Sequence, residues 1–226
     1  MARNGNNNSF NDMGGFSGFL QRNRKGIFLI AGLIILAFAG LVVFITLSSV
    51  LNKNAIAEIE ELGRRYEELR ISSQNANYAA DMDKLLAEIE LFAKNKKGYA
   101  PGKAWSMIAL VYADREDWPK AKDAWLNAAD AGKKTFLGPI ALFNAAAAEE
   151  EMGNFERAIE LLQSCLSHPF EFPSAPRAQF AIGRLYEKQK NYPAALEAYR
   201  EVLIKWHDFP MWQNLARDRV IAIEVN

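Results

Sequence analysis

The sequence predicts an all-α protein in which an N-terminal transmembrane helix is followed by a solenoid of helical hairpins. Three observations predict this fold class: a run of 25 residues without a charge, a helical pattern that recurs every 37 residues, and small residues placed where paired helices cross. Half of the residues are hydrophobic and 24% are charged, a balance typical of globular proteins rather than disordered ones.

The chain begins with a polar tail, residues 1–26, whose Asn-, Gly- and Ser-rich composition predicts disorder. Ile27–Leu51 follows without a charged side chain. As a helix these residues would span roughly 37 Å, enough to cross a hydrocarbon layer of about 30 Å. A buried core helix would need a polar face, and a cleaved signal peptide has a shorter apolar core. We therefore expect an uncleaved signal anchor.

Basic residues flank the apolar run unequally, and this asymmetry predicts its orientation. Arg22, Arg24 and Lys25 stand just before it, whereas Lys53 stands alone after it until Arg64. Because positive charge is retained on the cytoplasmic side, the N-terminus is expected in the cytoplasm. In a bacterium the protein would then lie in the inner membrane, with its C-terminal domain in the periplasm.

Residues 98–209 contain three units that align without gaps at a spacing of 37 residues. We interpret each unit as two antiparallel helices, which need small residues at the point where they cross closely. Those positions are Ala109, Ala146 and Gly183 on the first helices and Ala121, Ala158 and Ala195 on the second. Large residues are expected to fill the space between hairpins, namely Tyr112, Trp125, Tyr186 and Tyr199, and one aromatic column holds Trp118, Phe155 and Tyr192.

These residues resemble the tetratricopeptide repeat (TPR) family, whose signature is W-x2-L-G-x2-Y, then A-x3-F, then A. The first unit matches at Trp105, Ile108, Ala109, Tyr112, Ala121, Trp125 and Ala128, and the third at Ile182, Gly183, Tyr186, Ala195 and Tyr199. The second unit is weaker, with Glu149 in place of the tyrosine. The period exceeds the family's usual 34, and the extra residues fall around Gly132–Gly138 and His168–Pro176.

Further helices are predicted on both sides of the three units. Residues 52–97 are expected to form a degenerate first hairpin, because L62-G-R-R-Y66 repeats the core of a first helix and Met82–Lys97 supplies a second. Residues 210–226 are expected to form a helix that caps the open end. Upstream, Ile56, Ile59, Leu62, Tyr66 and Leu69 form an apolar helix stripe. Packing within the hairpin and self-association into a homo-oligomer are both open uses of that stripe.

No pattern in the sequence predicts catalysis, a cofactor or a metal site. The two histidines, His168 and His207, lie at no metal-ligand spacing from each other or from Cys165, the single cysteine. Residues 54–226 carry 22 basic and 26 acidic side chains, so no basic face for nucleic acid is expected. The run Glu149–Glu151 is interpreted as a solvated helix face. An enzyme is therefore the least favoured class.

The resemblance to the TPR family implies a groove for proteins or peptides, lined by first helices at fixed offsets from the glycine position of the signature. It implies a partner-binding site at Ser106, Leu110, Ala113, Asp114, Phe143, Ala147, Glu150, Glu151, Phe180, Arg184, Glu187 and Lys188. Phe143 and Phe180 lie one repeat apart. They form either an apolar stripe for a peptide or ordinary core covered by the first hairpin or the cap.

The order of tail, single span, degenerate hairpin, repeats and cap resembles the ancillary subunit of the bacterial protein-translocation channel. That family associates with the channel and with periplasmic chaperones, so the resemblance implies a module that binds client proteins or envelope machinery. Two alternatives stay open. One is a scaffold subunit of a large envelope assembly, such as a flagellar-motor collar or a division complex, and the other is a eukaryotic receptor with its repeats in the cytosol.

Overall fold

The computed structural model describes residues 11–72, 74, 76–96 and 99–225. The chain divides into two compact structural units, which are distinct from the repeats. They are Met1–Lys53, called the first unit from here on, and Asn54–Asn226, called the second unit. The described residues form helices and no strand, which confirms the all-α fold class. The helices are α1 (Asn11–Ile71), α2 (Tyr78–Asn95), α3 (Tyr99–Asp114), α4 (Trp118–Ala131), α5 (Leu137–Glu151), α6 (Phe155–Leu166), α7 (Ala175–Lys188), α8 (Tyr192–Lys205) and α9 (Pro210–Val225).

Helix α1 carries the apolar run of the first unit. Within the part of the chain that is described, only α1 is long and apolar enough to cross a membrane. Residues 11–26, for which the composition predicts disorder, are helical, while residues 1–10 lie outside the described residues. The physical reason is cooperativity: extending an existing helix costs far less than nucleating one, and residues 11–26 contain no proline.

The second unit opens with a hairpin made of the C-terminal part of α1 and α2. Ile59, Leu62 and Tyr66 are buried in the core of the unit, and Arg65 on α1 donates to Glu88 on α2 at 2.5 Å. The apolar stripe predicted on α1 therefore packs within the unit, and of its five residues Ile56 is the exposed one, at 43%. This is the packing interpretation of the stripe rather than the self-association one.

The three repeats are the helix pairs α3–α4, α5–α6 and α7–α8, and their turns repeat the same backbone geometry. The second helices begin at Trp118, Phe155 and Tyr192, 37 residues apart. In each turn a backbone N–H donates across five residues to the last turn of the first helix at 2.9 Å: Asp117 to Tyr112, Asn154 to Glu149, and Asn191 to Tyr186. Each turn also contains one residue with positive φ, namely Glu116, Gly153 and Lys190.

Glu149, which stands where the other repeats have tyrosine, is buried at 6% exposure. The side-chain amide of Asn154 donates to its carboxylate at 2.7 Å, whereas Asp117 and Asn191 use the equivalent side chains to cap α4 and α8. The interpretation of Glu149–Glu151 as a solvated face is therefore wrong for Glu149. A buried carboxylate needs such a partner, so the departure from the family pattern comes with a local compensation.

The crossing positions are buried as the repeat pattern predicts, with Ala109, Ala121, Ala158 and Ala195 at 0% exposure. Gly183 shows why the residue must be small. A Cβ atom added there would lie 2.6 Å from Cε1 of Tyr199, whose ring is itself fully buried. The close approach of α7 and α8 therefore depends on the missing side chain.

Helix α9 closes the C-terminal end of the second unit. Ala216 is fully buried and forms a small core with Ala195, Tyr199 and Val202, against which Trp212 packs. The side-chain amide of Gln213 also donates to the backbone carbonyl of Leu203 at 2.9 Å. These contacts attach α9 to α8, so the predicted capping helix is present.

Candidate functional site

A cavity of about 270 Å³ lies between α5, α7 and α9, with Leu162 of α6 in its wall. It brings together five residues of the predicted groove: Phe143, Ala147, Glu150, Phe180 and Arg184. The other lining residues are Ala146, Leu162, Arg177, Ala181, Leu185 and Trp212. The first helices of the second and third repeats therefore meet at one concave site, which the cap helix borders.

Aromatic rings form two of the walls of this cavity. The ring of Phe143 stacks on Phe172 at a centroid distance of 5.1 Å, and the guanidinium of Arg177 lies 4.9 Å from the centroid of Phe143. Phe180 lies 5.1 Å from Tyr199 and 5.6 Å from Trp212 of the cap helix. Both predicted aromatics are thus half-buried, partly covered by neighbouring side chains, and still face the cavity.

Charged groups at the cavity are joined across two repeats by Glu150 of α5. Its carboxylate accepts two hydrogen bonds from the guanidinium of Arg184, one of them at 2.5 Å, and one from Lys188 at 2.6 Å. Burial by itself raises the pKa of Glu150, but these hydrogen bonds and the two positive charges outweigh burial and leave the pKa lowered. Glu150 is therefore an anionic bridge between the repeats, not part of a solvated face.

A second bridge joins the third repeat to the cap helix. The carboxylate of Glu187 accepts hydrogen bonds from the guanidinium of Arg219, with Nε at 3.0 Å, and from the hydroxyl of Tyr199 at 2.6 Å. Burial raises the pKa of Glu187, but the hydrogen bonds from Arg219 and Tyr199 reverse the direction and the pKa is lowered. Two of the carboxylates predicted to line the groove, Glu150 and Glu187, are thus paired with basic residues of other helices within the chain itself.

The predicted residues on α3 lie outside this cavity. Ser106 donates its hydroxyl to the carbonyl of Gly102 at 2.9 Å, whereas Leu110 and Asp114 are exposed. Six lining residues were not among the predicted groove residues, and Arg177 and Trp212 are the charged and the aromatic members of that set. Arg177 stands three residues before Phe180, so helical spacing on α7 could have identified it, but the position of Trp212 depends on how the cap packs.

A larger and more open groove of about 590 Å³ lies on the other side of α7. It contacts Gln179, Ile182 and Tyr186, which point about 180° around the helix axis from the cavity residues Arg177 and Arg184. None of the predicted groove residues lines it. The smaller cavity is therefore the candidate site, because it combines enclosure with aromatic walls and the predicted residues.

The cysteine and the two histidines considered as candidates for chemistry do not line the cavity. Cys165 is buried, and burial raises the pKa of its thiol to about 12, which suppresses the reactive thiolate. His168 accepts from the backbone N–H of Phe170 at 3.1 Å, and His207 lies exposed beside Asp208. Across the described residues, no group of three or more His, Cys, Asp or Glu side chains could hold a metal ion.

Comparison with known proteins agrees with the repeat architecture. A family model described as a tetratricopeptide repeat matches residues 106–167 and 143–208. A TPR repeat-containing protein of Treponema pallidum (strain Nichols) is 30% identical over 227 residues, covering 92% of each chain.

Among solved structures, the crystal structure of the nearly identical TPR-like repeats of a putative kinesin light chain from Podosopora anserina resembles this fold. The TM-score is 0.56 at 16% identity, with 73% of this chain and 86% of that chain covered. At this identity the likeness concerns the fold alone. The repeat geometry and the Treponema relative together lead to one conclusion: the chain belongs to the tetratricopeptide repeat family.

Proposed function

We propose that this protein is a membrane-anchored TPR interaction module of the bacterial cell envelope, which binds client proteins or the translocation and chaperone machinery. The observation that carries the proposal is the cavity between α5, α7 and α9, where the predicted groove residues of two repeats converge. A bacterial TPR relative that matches 92% of the chain supports the bacterial setting.

The anchoring part of the proposal depends on α1. Its uncharged run Ile27–Leu51 is long enough to span a bilayer, and the large apolar side chains described in it, from Phe28 to Leu51, are exposed rather than packed in a core. Since basic residues are concentrated before the run, the N-terminus is cytoplasmic and the repeats lie in the periplasm in this proposal.

The cavity suits part of a protein better than a cofactor. Its volume of about 270 Å³ is slightly below the ~300–1,000 Å³ of small-molecule sites. It has room for an apolar side chain or two of a docked segment. Phe143, Phe180 and Trp212 supply apolar contact area, and aromatic side chains carry much of the binding energy in protein interfaces. Ala147 has a small, exposed side chain, so the backbone of a bound segment can approach the cavity closely there.

Site-specific photo-crosslinking in cells tests this proposal. The photoreactive residue replaces Ala147, which is exposed at the cavity, and in a matched control replaces Ile204, which is 76% exposed on α8 and does not line the cavity. Exported proteins, channel subunits or chaperones captured from position 147 but not 204 support the proposal. Capture of a single structural protein, or of the chain itself, replaces it with the scaffold function. Equal capture at both positions rejects the cavity as the site.

A further inference from the structure

Each connection that follows a second helix of a repeat carries one exposed phenylalanine. These connections are residues 132–136, 167–174 and 206–209. Phe136, Phe170 and Phe209 are 55%, 41% and 44% exposed, respectively. We call the side of the second unit formed by these three connections the phenylalanine edge. Each of these rings leaves apolar area in contact with water, and covering that area is favourable.

The turns within the repeats have the opposite character. Residues 115–117, 152–154 and 189–191 read Arg-Glu-Asp, Met-Gly-Asn and Gln-Lys-Asn, without an aromatic residue. Consecutive helices joined by short connections run antiparallel, so these turns lie at the other ends of the same helices. The connecting residues of the two edges therefore differ in chemistry, although the aromatic column Trp118, Phe155 and Tyr192 begins directly after the turns and Tyr192 is 49% exposed.

Contacts trace the phenylalanine edge back to the first residues of the second unit. Glu58 of α1 pairs with Lys96, just before α3, at 3.1 Å. Tyr99 at the start of α3 lies 6.1 Å from Phe136, which immediately precedes α5. The beginning of α5 then meets the next connection, since a Cβ atom at Gly138 would lie 2.6 Å from His168.

The second unit begins at Asn54, four residues before Glu58. The chain therefore enters the unit at the α1 end of the phenylalanine edge. Ala55 is four residues after Leu51, the last residue of the apolar run, so the two Cα atoms lie within roughly 14 Å of each other in any backbone conformation. If the run spans a bilayer, the α1 end of the phenylalanine edge is held at the bilayer surface. This short link to the apolar run fixes only the α1 end, and the rest of the edge can approach the lipid or point away from it.

We propose that the phenylalanine edge rests on the lipid bilayer, with Phe136, Phe170 and Phe209 inserted at the headgroup level. The inference rests on the anchoring part of the proposed function. Phenylalanine is typical of the apolar face of segments that lie at the membrane interface, where that face is buried at the boundary between headgroups and acyl chains. The contact orients the repeat stack and leaves the polar turns facing away from the membrane.

Depth-dependent fluorescence quenching of the full chain tests the inference. The variants F136C, F170C and F209C each carry an NBD fluorophore, and Cys165 can stay in place because it is buried. The matched control is Y192C, since Tyr192 is an aromatic residue with 49% exposure at the other ends of the helices. Each protein is reconstituted in phosphatidylethanolamine–phosphatidylglycerol vesicles, with or without nitroxide-labelled lipid.

We expect strong quenching at the three edge positions and none at position 192. A second experiment places the fluorophore at Lys134, beside Phe136, and compares the native edge with the triple variant F136S, F170S and F209S. Quenching at position 134 is lost in the triple variant if the rings hold the edge on lipid. Circular dichroism verifies that the helices of the variants are intact.

Absence of quenching at the edge, equal quenching at position 192, or unchanged quenching in the triple variant each overturns the inference. Vesicle flotation separates this failure from a failure of anchoring. A chain that floats with vesicles after a carbonate wash but shows no edge quenching retains its anchor and lacks the edge contact. A chain that does not float lacks the anchor, and both proposals fall.

Discussion

The close approach of α7 and α8 at Gly183 gives a quantitative prediction for G183A. The added Cβ would lie 2.6, 2.7 and 2.9 Å from three atoms of the Tyr199 ring. That ring cannot move aside easily, because it is fully buried, packs against Phe180 at 5.1 Å and donates its hydroxyl to Glu187 at 2.6 Å. Relief of the clash therefore requires the two helices to separate.

The magnitude follows from two opposing terms. Overpacking of a closely packed site costs about 1–3 kcal/mol, and the rigid surroundings of Tyr199 favour the upper end. Replacing glycine by alanine within a helix recovers about 1 kcal/mol. We expect a net loss of about 2 kcal/mol, which lowers the melting temperature by about 4–8 °C for a domain of this size.

Thermal unfolding of the full chain in mild detergent, followed by circular dichroism, measures the effect. The matched double variant is G183A/Y199L, because the second repeat has Ala146 and Leu162 at the corresponding positions. The double variant should be less destabilised than the sum of the two single variants by about 1 kcal/mol or more. A melting temperature of G183A at or above that of the native chain refutes the reasoning, because the Tyr199 ring would then move aside with no loss of stability.

Three further predictions concern the bridge, the turns and the cysteine. E150Q should destabilise the protein by about 1–2 kcal/mol at pH 7 through weakened charge-assisted hydrogen bonds. The pKa of Glu150 is lowered in the folded state, so its contribution to stability is present above the ordinary value of 4.5 and is lost as the pH falls through the lower folded value. Urea unfolding should therefore show a smaller difference in unfolding free energy between E150Q and the native chain at pH 3 than at pH 7. G153A should cost about 1 kcal/mol because its φ is +77°, whereas K190G in the equivalent turn should not destabilise, and equal losses in urea unfolding would contradict this assignment. Cys165 should resist maleimide labelling at pH 8 until the protein is unfolded, and rapid labelling of the native chain would show that the thiol is accessible.

Much of the fold could be predicted from sequence because a repeat leaves a local signal. Ala121, Ala158 and Ala195 recur at 37 residues, and each lies in the first turn of a second helix at 0% exposure. Helical hairpins depend mainly on contacts close in sequence, so spacing and residue size were sufficient to identify them. The exception is residues 11–26, where composition predicts disorder and the structure has helix.

The candidate site was only partly predictable. Phe143 and Phe180 were identified by their offset from the crossing position, and both line the cavity. Sequence spacing could not show that Trp212 of the cap helix packs on Phe180 at 5.6 Å, or that Phe172 stacks on Phe143 at 5.1 Å. Those contacts join residues from separate helices and connections, whose approach no short pattern encodes.

By itself, the sequence determined that this chain is a helical repeat protein preceded by one apolar segment, because period, residue size and absence of charge are properties of the chain alone. Only the tertiary structure decided which carboxylates are solvated and which are buried or paired. Glu149 and Glu150 look like one solvated run in sequence, yet the first is buried on Asn154 and the second bridges Arg184 and Lys188 of the next repeat. The physical reason is that burial and ion pairing depend on what lies opposite a side chain in space, and that neighbour is supplied by packing between repeats.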